Sequence, residues 1–365
     1  MHLERLSVSN YKNIRQLEAE FSPSINLFLG QNGMGKTNLL DAIYYLSFCK
    51  SHTRTPDPQA LCQGENMFFI QGFYFFDPHH EEILCGYKPC EKKVFKRNKK
   101  EYQRLSQHIG LLPLVIISPQ DTELIHGSSD ARRRFMDILI SQYNNVYLHS
   151  LISYNRALRQ RNTLLRTQVD DYRLYTAFEA ILIRESKLIF EARKEFIRQL
   201  IPLFNHYYGY ISNSQETVLF DYLSHLHSEE PSQMLDRHRQ TDRRLGYTSA
   251  GIHRDDIHFT LRQQSLHYTG SQGQQKTTLL SLKLAQYSLL AQHAPSTPML
   301  LLDDIFDKLD LPRVQQIIDL VSGKDFGQIF ITDTNRQHLD TLLRSSAVPT
   351  SSFHLVEGEL SRLED

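Results

Sequence analysis

The chain has 365 residues, enough for two domains or one elaborate domain. Its 40% hydrophobic content suits a globular protein with a substantial core, and no apolar run reaches the roughly 18 residues that a membrane span requires. Lysine plus arginine equals aspartate plus glutamate, 41 each, so a globally basic nucleic-acid binder is excluded and any such contact has to be local.

Residues Met1-His2-Leu3-Glu4-Arg5 run straight into strand-like alternation, without the apolar core of a signal peptide or the pattern of a transit helix. A cytoplasmic protein is the expectation. Strands are predicted at Leu3–Val8 and Ile25–Leu29. The second leads into "GQNGMGKT" and then into a helical pattern through Leu40, Ile43 and Leu46. Gly30, Gln31, Asn32, Gly33, Met34, Gly35, Lys36 and Thr37 thus spell G-x-x-x-x-G-K-[ST] between a strand and a helix, the P-loop pattern. Glycines let the backbone curl so that successive N–H groups face an anion, and the helix N-terminus adds partial positive charge. Lys36 reaches β and γ phosphates and the Thr37 hydroxyl ligates Mg²⁺, so ATP and Mg²⁺ are the expected cofactors. A ligand-free β–α turn is the plain alternative.

Further strands are predicted at Met67–Phe76, Glu82–Tyr87, Lys93–Lys96 and Pro113–Ile117, with a hairpin turn inside "FKRNKKEY" (95–102). Cys49, Cys62, Cys85 and Cys90 have neither disulfide-framework nor zinc-site spacing, and are read as reduced thiols.

From about residue 128 the pattern turns helical. Ser129 or Asp130 serves as an N-cap, with apolar spacing through Phe135, Ile138 and Leu139. Leu148, Leu151 and Ile152 begin a second run, continued by Leu158 and Leu165. A third runs from Tyr172 toward Phe204, and the pattern loosens after Pro202. This predicts an arm-like helical insert over 128–245 between the two parts of a head, 1–127 and 246–365. Arg132, Arg133 and Arg134 open the insert, and Arg156, Arg159 and Arg161 lie on its second helix. Arg132, Arg133, Arg159 and Arg161 are the candidates for DNA contact, against an ordinary solvated face.

A strand is expected at Ile257–Leu261. "TGSQGQQKTTLLSLKLAQ" (269–286) then sets glycines, hydroxyls and amides ahead of a long helix, either a phosphate-touching loop or a polar helix cap. In "PMLLLDDIFDKLD" (298–310) the unbroken run Met299–Leu302 reads as a strand buried on both faces. Asp303 sits at its C-terminal end, where open α/β sheets bind ligands, and would hold the metal. Asp304 is placed to orient an attacking water. The last strands are predicted at Gln328–Thr332 and Phe353–Val356.

A P-loop, a distant Asp-Asp strand and a Ser-Gly-Gln loop opening a helix together resemble ABC-type ATPase heads. Their signature Leu-Ser-Gly-Gly-Gln corresponds here to Gly270-Ser271-Gln272-Gly273-Gln274, which keeps Ser271, Gly273 and Gln274 but has Gln272 for the first glycine. The wider resemblance is to the RecF family, over essentially the whole chain. It is carried by "LSVSNYKNI" (6–14), the P-loop with "TNLLDAIYYL" (37–46), "ISPQDTELIHGSSDARRRFMD" (117–137), "YNRALRQRNTLL" (154–165), "GIHRDDI" (251–257), "GSQGQQK" (270–276) and "LLLDDIFDKLD" (300–310).

That resemblance implies an α/β fold: an ABC-type P-loop ATPase head with mixed sheets plus an inserted helical arm-like subdomain. It implies a weak, DNA-stimulated ATPase of recombinational repair and replication restart, with Lys36, Asp303 and Asp304 catalytic. Such a protein binds DNA, dimerises on ATP at single-strand gaps and duplex–single-strand junctions, and helps load RecA with RecO and RecR. It also implies that Ser271, Gly273 and Gln274 meet the nucleotide on the opposing subunit's P-loop. Gln120 would stand near the Q-loop position, and residues 307–310 would line the dimer seam. The rivals are a transporter ATPase subunit, a nucleotide-regulated clamp with negligible turnover, and an ATPase fused to a nuclease. Thr332-Asp333-Thr334, which lacks the transporter's switch histidine, argues against the first. Asp304, one methylene shorter than the usual glutamate, favours the second.

Overall fold

Ile25–Leu29, Met299–Asp303, Ile329–Asp333 and Leu114–Ile117 are strands buried along their whole length, as nearly unbroken apolar runs demand. In this computed structural model, which describes residues 1–212, 216–306, 311–323, 325–334 and 349–363, they lie side by side in one sheet. The order runs Glu359–Arg362, Thr350–Val356, Ile25–Leu29, Ile329–Asp333, Met299–Asp303, Leu114–Ile117. All these neighbours are parallel except the hairpin that Glu359–Arg362 makes with Thr350–Val356. Ile329–Asp333 therefore separates the strand before the P-loop from the strand ending in Asp303. Phe21, Phe28, Phe330 and Phe353 pack ring to ring on this sheet.

A second, antiparallel sheet has the order Ile14–Glu20, His2–Tyr11, Phe68–Phe76, His79–Tyr87, Val94–Arg97, Lys100–Glu101. The turn in "FKRNKKEY" is a two-residue hairpin in which Asn98 and Lys99 both have positive φ, 48° and 66°, the geometry that matches strand twist. Ile14–Glu20 was not anticipated.

The chain divides into two compact units, residues 1–120 with 290–365, and residues 121–289. The second unit holds helices Ser129–Tyr143, Asn145–Arg166, Tyr172–Ser212 and Pro231–Leu245 and an antiparallel sheet ordered Gln264–Ser265, Asp256–Leu261, Val218–Leu223. It is wider than the insert expected over 128–245, because Asp256–Leu261 pairs with Val218–Leu223 inside the unit. Helix Tyr172–Ser212 continues through Pro202, where the sequence pattern loosens. Phe204, Tyr207, Tyr208 and Ile211 prolong its buried stripe, and that burial outweighs the backbone hydrogen bond the proline removes. Helix Ser129–Tyr143 starts after Ser128, one position before the expected cap. Among the described residues no helix is long and apolar enough to cross a membrane.

Candidate functional site

The P-loop leaves the buried strand Ile25–Leu29 at Gly30. A Cβ there would sit 2.4 Å from the Leu355 carbonyl oxygen, so only glycine fits. Gly35 closes the loop with φ 108°, in the left-handed region, against the Asn13 side-chain amide. Helix Lys36–Phe48 begins at the next residue. Asn13 reaches the crest of the loop, donating to the Gly33 carbonyl at 3.4 Å and accepting from Asn38 at 2.7 Å.

Lys36 is buried, and its Nζ donates to the carbonyls of Gly30 (2.6 Å) and Gln31 (3.1 Å). Burial holds its ammonium below the ordinary lysine pKa, while Asp304, Asp303 and Asp333 pull the other way. Thr37 Oγ1 lies 3.0 Å from Asp303 Oδ1. The Asp303 carboxyl is pushed above the usual range by burial, against hydrogen bonds from Thr332 and Thr37. Asp304 follows in the left-handed backbone region, φ 51°, its N–H donating to Thr332 Oγ1 at 2.9 Å.

Asp303, Asp304 and Asp333 all act on the Lys36 ammonium. Thr37 and Asp303 fit Mg²⁺: both are hard oxygen donors, and two neighbouring ligands of an octahedron with Mg–O bonds of 2.0–2.1 Å stand about 2.9 Å apart. The sheet thus brings Lys36, Thr37, Asp303 and Asp304 together. Gln120 is exposed in the turn Pro119–Thr122, just beyond strand Leu114–Ile117, whose Ile117 pairs with Leu302. Residues 307–310 lie outside the described residues.

Thr332 was not among the predicted site residues. Its signal was present: like Asp303, it is a polar residue at the C-terminal end of an apolar strand.

Ser271, Gly273 and Gln274 belong to the second unit. Ser271 precedes helix Gln272–His293 and caps it. Its Oγ accepts the Gln274 amide at 3.2 Å, while Gln274 Oε1 accepts the Ser271 amide at 2.7 Å, a reciprocal capping box. The Gln274 side-chain amide also donates to Glu216. Gln275 Nε2 donates to the Gly270 carbonyl at 3.1 Å, tying the turn to the helix.

The arginine expectations need correction. Arg132 forms a two-pronged ion pair with Asp256, at 2.6 and 3.0 Å, and also donates to the Leu124 and Gly127 carbonyls. Arg133 donates to the Asp255 carbonyl at 2.7 Å. Arg161 is fully buried, held by Glu179 at 3.0 Å and Asp242 at 2.7 Å. Burial takes Arg161 away from any partner, whereas Arg132 and Arg133 brace the second unit and stay partly exposed. Arg159 alone of the four candidates is exposed. Arg193, which drew no attention in the sequence, is likewise buried between Asp137 and Asp255.

A family model described as AAA ATPase domain matches residues 1–245. The DNA replication and repair protein RecF of Parabacteroides distasonis is 52% identical over 365 residues, covering 100% of both chains. RecF of Porphyromonas gingivalis is 46% identical over 362 residues, 99% of this chain and 100% of the relative. A solved structure of the recombination mediator protein RecF with ATP, described as of the RecFOR pathway, superposes with a TM-score of 0.89 at 28% identity, covering 100% of this chain and 98% of that one. The Smc head domain of Pyrococcus furiosus shares the fold, with a TM-score of 0.58 at 15% identity over 100% of this chain and 96% of that one.

Proposed function

Because the chain belongs to the RecF family, we propose that it is an ATP-dependent DNA-binding protein of recombinational repair and replication restart. It dimerises on ATP at single-strand gaps and duplex–single-strand junctions, and helps load RecA with RecO and RecR in the cytoplasm. Its ATPase is slow and stimulated by DNA. The first unit carries the head chemistry, and the helices of 128–245 form its arm.

The observation that supports this reading most is the contact of Thr37 with Asp303 at 3.0 Å, beside a buried Lys36. Lys36 exchanges the carbonyls of Gly30 and Gln31 for β and γ phosphate oxygens, a move toward charges that match its own. Thr37 and Asp303 would hold Mg²⁺, which would neutralise charge developing on the phosphate oxygens. Asp304 accepts a hydrogen bond from the attacking water. Ser271 serves the nucleotide of a second copy. As a cap its hydroxyl only accepts, from Gln274, so its own proton is left to donate to a phosphate oxygen.

A second reading, a nucleotide-regulated clamp with negligible turnover, is favoured by the short Asp304 side chain on a left-handed backbone. Single-turnover ATP hydrolysis with and without gapped duplex DNA separates the two. Acceleration by DNA supports the enzyme, and hydrolysis absent in both arms supports the clamp. Affinity for gapped, duplex and single-stranded DNA with ATP, ADP and no nucleotide tests the DNA reading itself. Equal affinity in all three nucleotide states overturns ATP dependence.

A further inference from the structure

Several arginines of the second unit spend their donors on carboxylates: Arg132 on Asp256, Arg161 on Glu179 and Asp242, Arg193 on Asp137 and Asp255. Arg159, Arg166, Arg244 and Arg254 are exposed and form no ion pair among the described residues. Arg166 and Arg254 touch one loop, and Arg159 and Arg244 stand within a few positions of residues that contact or form it.

Helix Pro231–Leu245 ends at Gly246, φ 74°. A Cβ on Gly246 would lie 3.5 Å from Arg166 Cγ, so the loop rests on the Arg166 stem. Arg244 is two residues before it. Thr248 N and Oγ1 donate to Asn162 Oδ1 at 2.8 and 2.7 Å. Arg159 and Arg166 stand three positions before and four after Asn162, on the same helix stripe. Between these contacts Tyr247 is left 41% exposed, and the Arg254 guanidinium lies over its ring at 5.4 Å from the centroid. The nearby acid Asp170 is taken by Arg243 at 3.1 Å.

The loop is fixed from below. Thr248 Oγ1 also accepts from the buried Arg161 at 2.7 Å, and Asp242 Oδ1 accepts the Ser249 amide and hydroxyl at 2.8 and 2.6 Å. His253 closes the far end, with Nε2 donating to the Thr248 carbonyl at 2.9 Å and Nδ1 meeting Tyr154 OH at 2.7 Å. So the buried members of "YNRALRQRN" and "GIHRDD" build a rigid floor under an exposed Tyr247 and Arg254.

Guanidinium groups gathered without carboxylates repel one another, which weakens the fold unless an anion joins them. An arginine stacked on a ring is oriented by it, yet keeps the N–H groups at its edge for a planar or tetrahedral oxyanion. We propose that the Tyr247–Arg254 platform, flanked by Arg159, Arg166 and Arg244, is a surface that grips the phosphates of a DNA strand. This inference rests on the DNA reading above and adds which face of the second unit the strand meets. Donors aimed at phosphates carry no base preference, so the grip is indifferent to sequence.

The test measures fluorescence anisotropy of labelled gapped duplex DNA with the full chain and Mg-ATP, across a salt series. Wild type is compared with Arg254→Ala, Arg166→Ala/Arg254→Ala and Arg184→Ala, the last an exposed arginine already paired with Glu185. Each lost phosphate contact should flatten the log–log salt dependence by about one unit, so by about two in the double variant, with Arg184→Ala unchanged. ATPase without DNA should stay at the wild-type value, which shows that the variants are folded. If wild type binds and the double variant keeps its slope, the platform is overturned and the DNA reading stands. If wild type binds no DNA with ATP, both fall together.

Discussion

Thr332 Oγ1 lies 2.9 Å from Asp303 Oδ1, and the same oxygen accepts the Asp304 amide at 2.9 Å. One hydroxyl from the strand between the P-loop strand and the aspartate strand thus orients the Asp303 carboxylate and holds the turn after it. Thr332→Val keeps the volume but leaves the Asp304 N–H without its partner, a loss of about 1–3 kcal/mol in stability. Freed of both bonds, the two aspartates drift from register, and single-turnover hydrolysis should fall tenfold or more, about 1.4 kcal/mol of barrier. Nucleotide affinity should change much less. A variant with wild-type turnover would show that Thr332 only packs.

Lys36→Ala and Asp303→Asn should each reduce hydrolysis by roughly a hundredfold or more, because each removes charge stabilisation where phosphate charge develops. Their effects on folding should differ from that. Burial holds the Asp303 carboxyl above its ordinary pKa, so its ionised form is a cost to the nucleotide-free fold. Asp303→Asn is therefore expected to melt no lower than wild type at pH 7 by scanning calorimetry. A clear drop in Tm would mean that the carboxylate is structural.

Mixing Lys36→Ala with Ser271→Arg tests whether the two site halves come from different chains. Each variant alone should be inactive. Random exchange makes half the dimers mixed, and in each of those one site carries both defects and the other none. About a quarter of wild-type ATPase should return if the sites act independently. An ATP-dependent crosslink from the Ser271 loop to the opposing P-loop guards against silent coupling between sites. Neither recovery nor crosslink, with exchange demonstrated, would put Ser271 out of the active site.

Arg161→Ala removes one member of a buried cluster, leaving the buried Asp242 without its cation and Glu179 with Arg239 as its remaining one. The expected loss is about 3–5 kcal/mol, read as a lower urea midpoint. Arg159→Ala, at an exposed position two residues away, should stay within about 0.5 kcal/mol of wild type. Equal midpoints for the two variants would contradict the burial of Arg161.

His108 is fully buried, with Nε2 2.6 Å from the Leu46 carbonyl and Nδ1 3.1 Å from Tyr102 OH. Burial pulls its pKa down to about 4. A depressed folded-state value contributes stability that is present above the unfolded pKa of 6.5 and lost as pH falls toward 4. The full loss is about 3 kcal/mol. Between pH 7 and pH 5 the Tm should decline, and less steeply in His108→Gln. Parallel declines would remove His108 as a cause.

What could be read from sequence was mostly what neighbours in sequence decide. Gly30 to Thr37 are one continuous stretch of chain, and Asp303 ends an apolar run, so both were legible without partners. The capping alternative for 270–276 was also legible, and Ser271 and Gln274 do cap the helix. Arg161 was misread because its partners Glu179 and Asp242 stand 18 and 81 positions away, and nothing near it in sequence announces burial. Helix Pro231–Leu245 was missed because it buries only Pro231, Met234, Leu235 and Asp242, too little apolar surface to mark a period. Strand Val218–Leu223 does alternate, but Leu219 and Leu223 face solvent and blur the pattern.

The P-loop strand Ile25–Leu29 has as its two neighbours Ile329–Asp333 and Thr350–Val356. During synthesis it leaves the ribosome with four apolar residues out of five and no partner on either edge. More than 300 further residues must be made before both edges can close, on the order of 15 to 60 s at bacterial translation rates. Over that time the nascent chain carries a sticky, unpaired strand, a target for chaperones and for aggregation. Competence to hold nucleotide is therefore among the last properties the growing chain acquires.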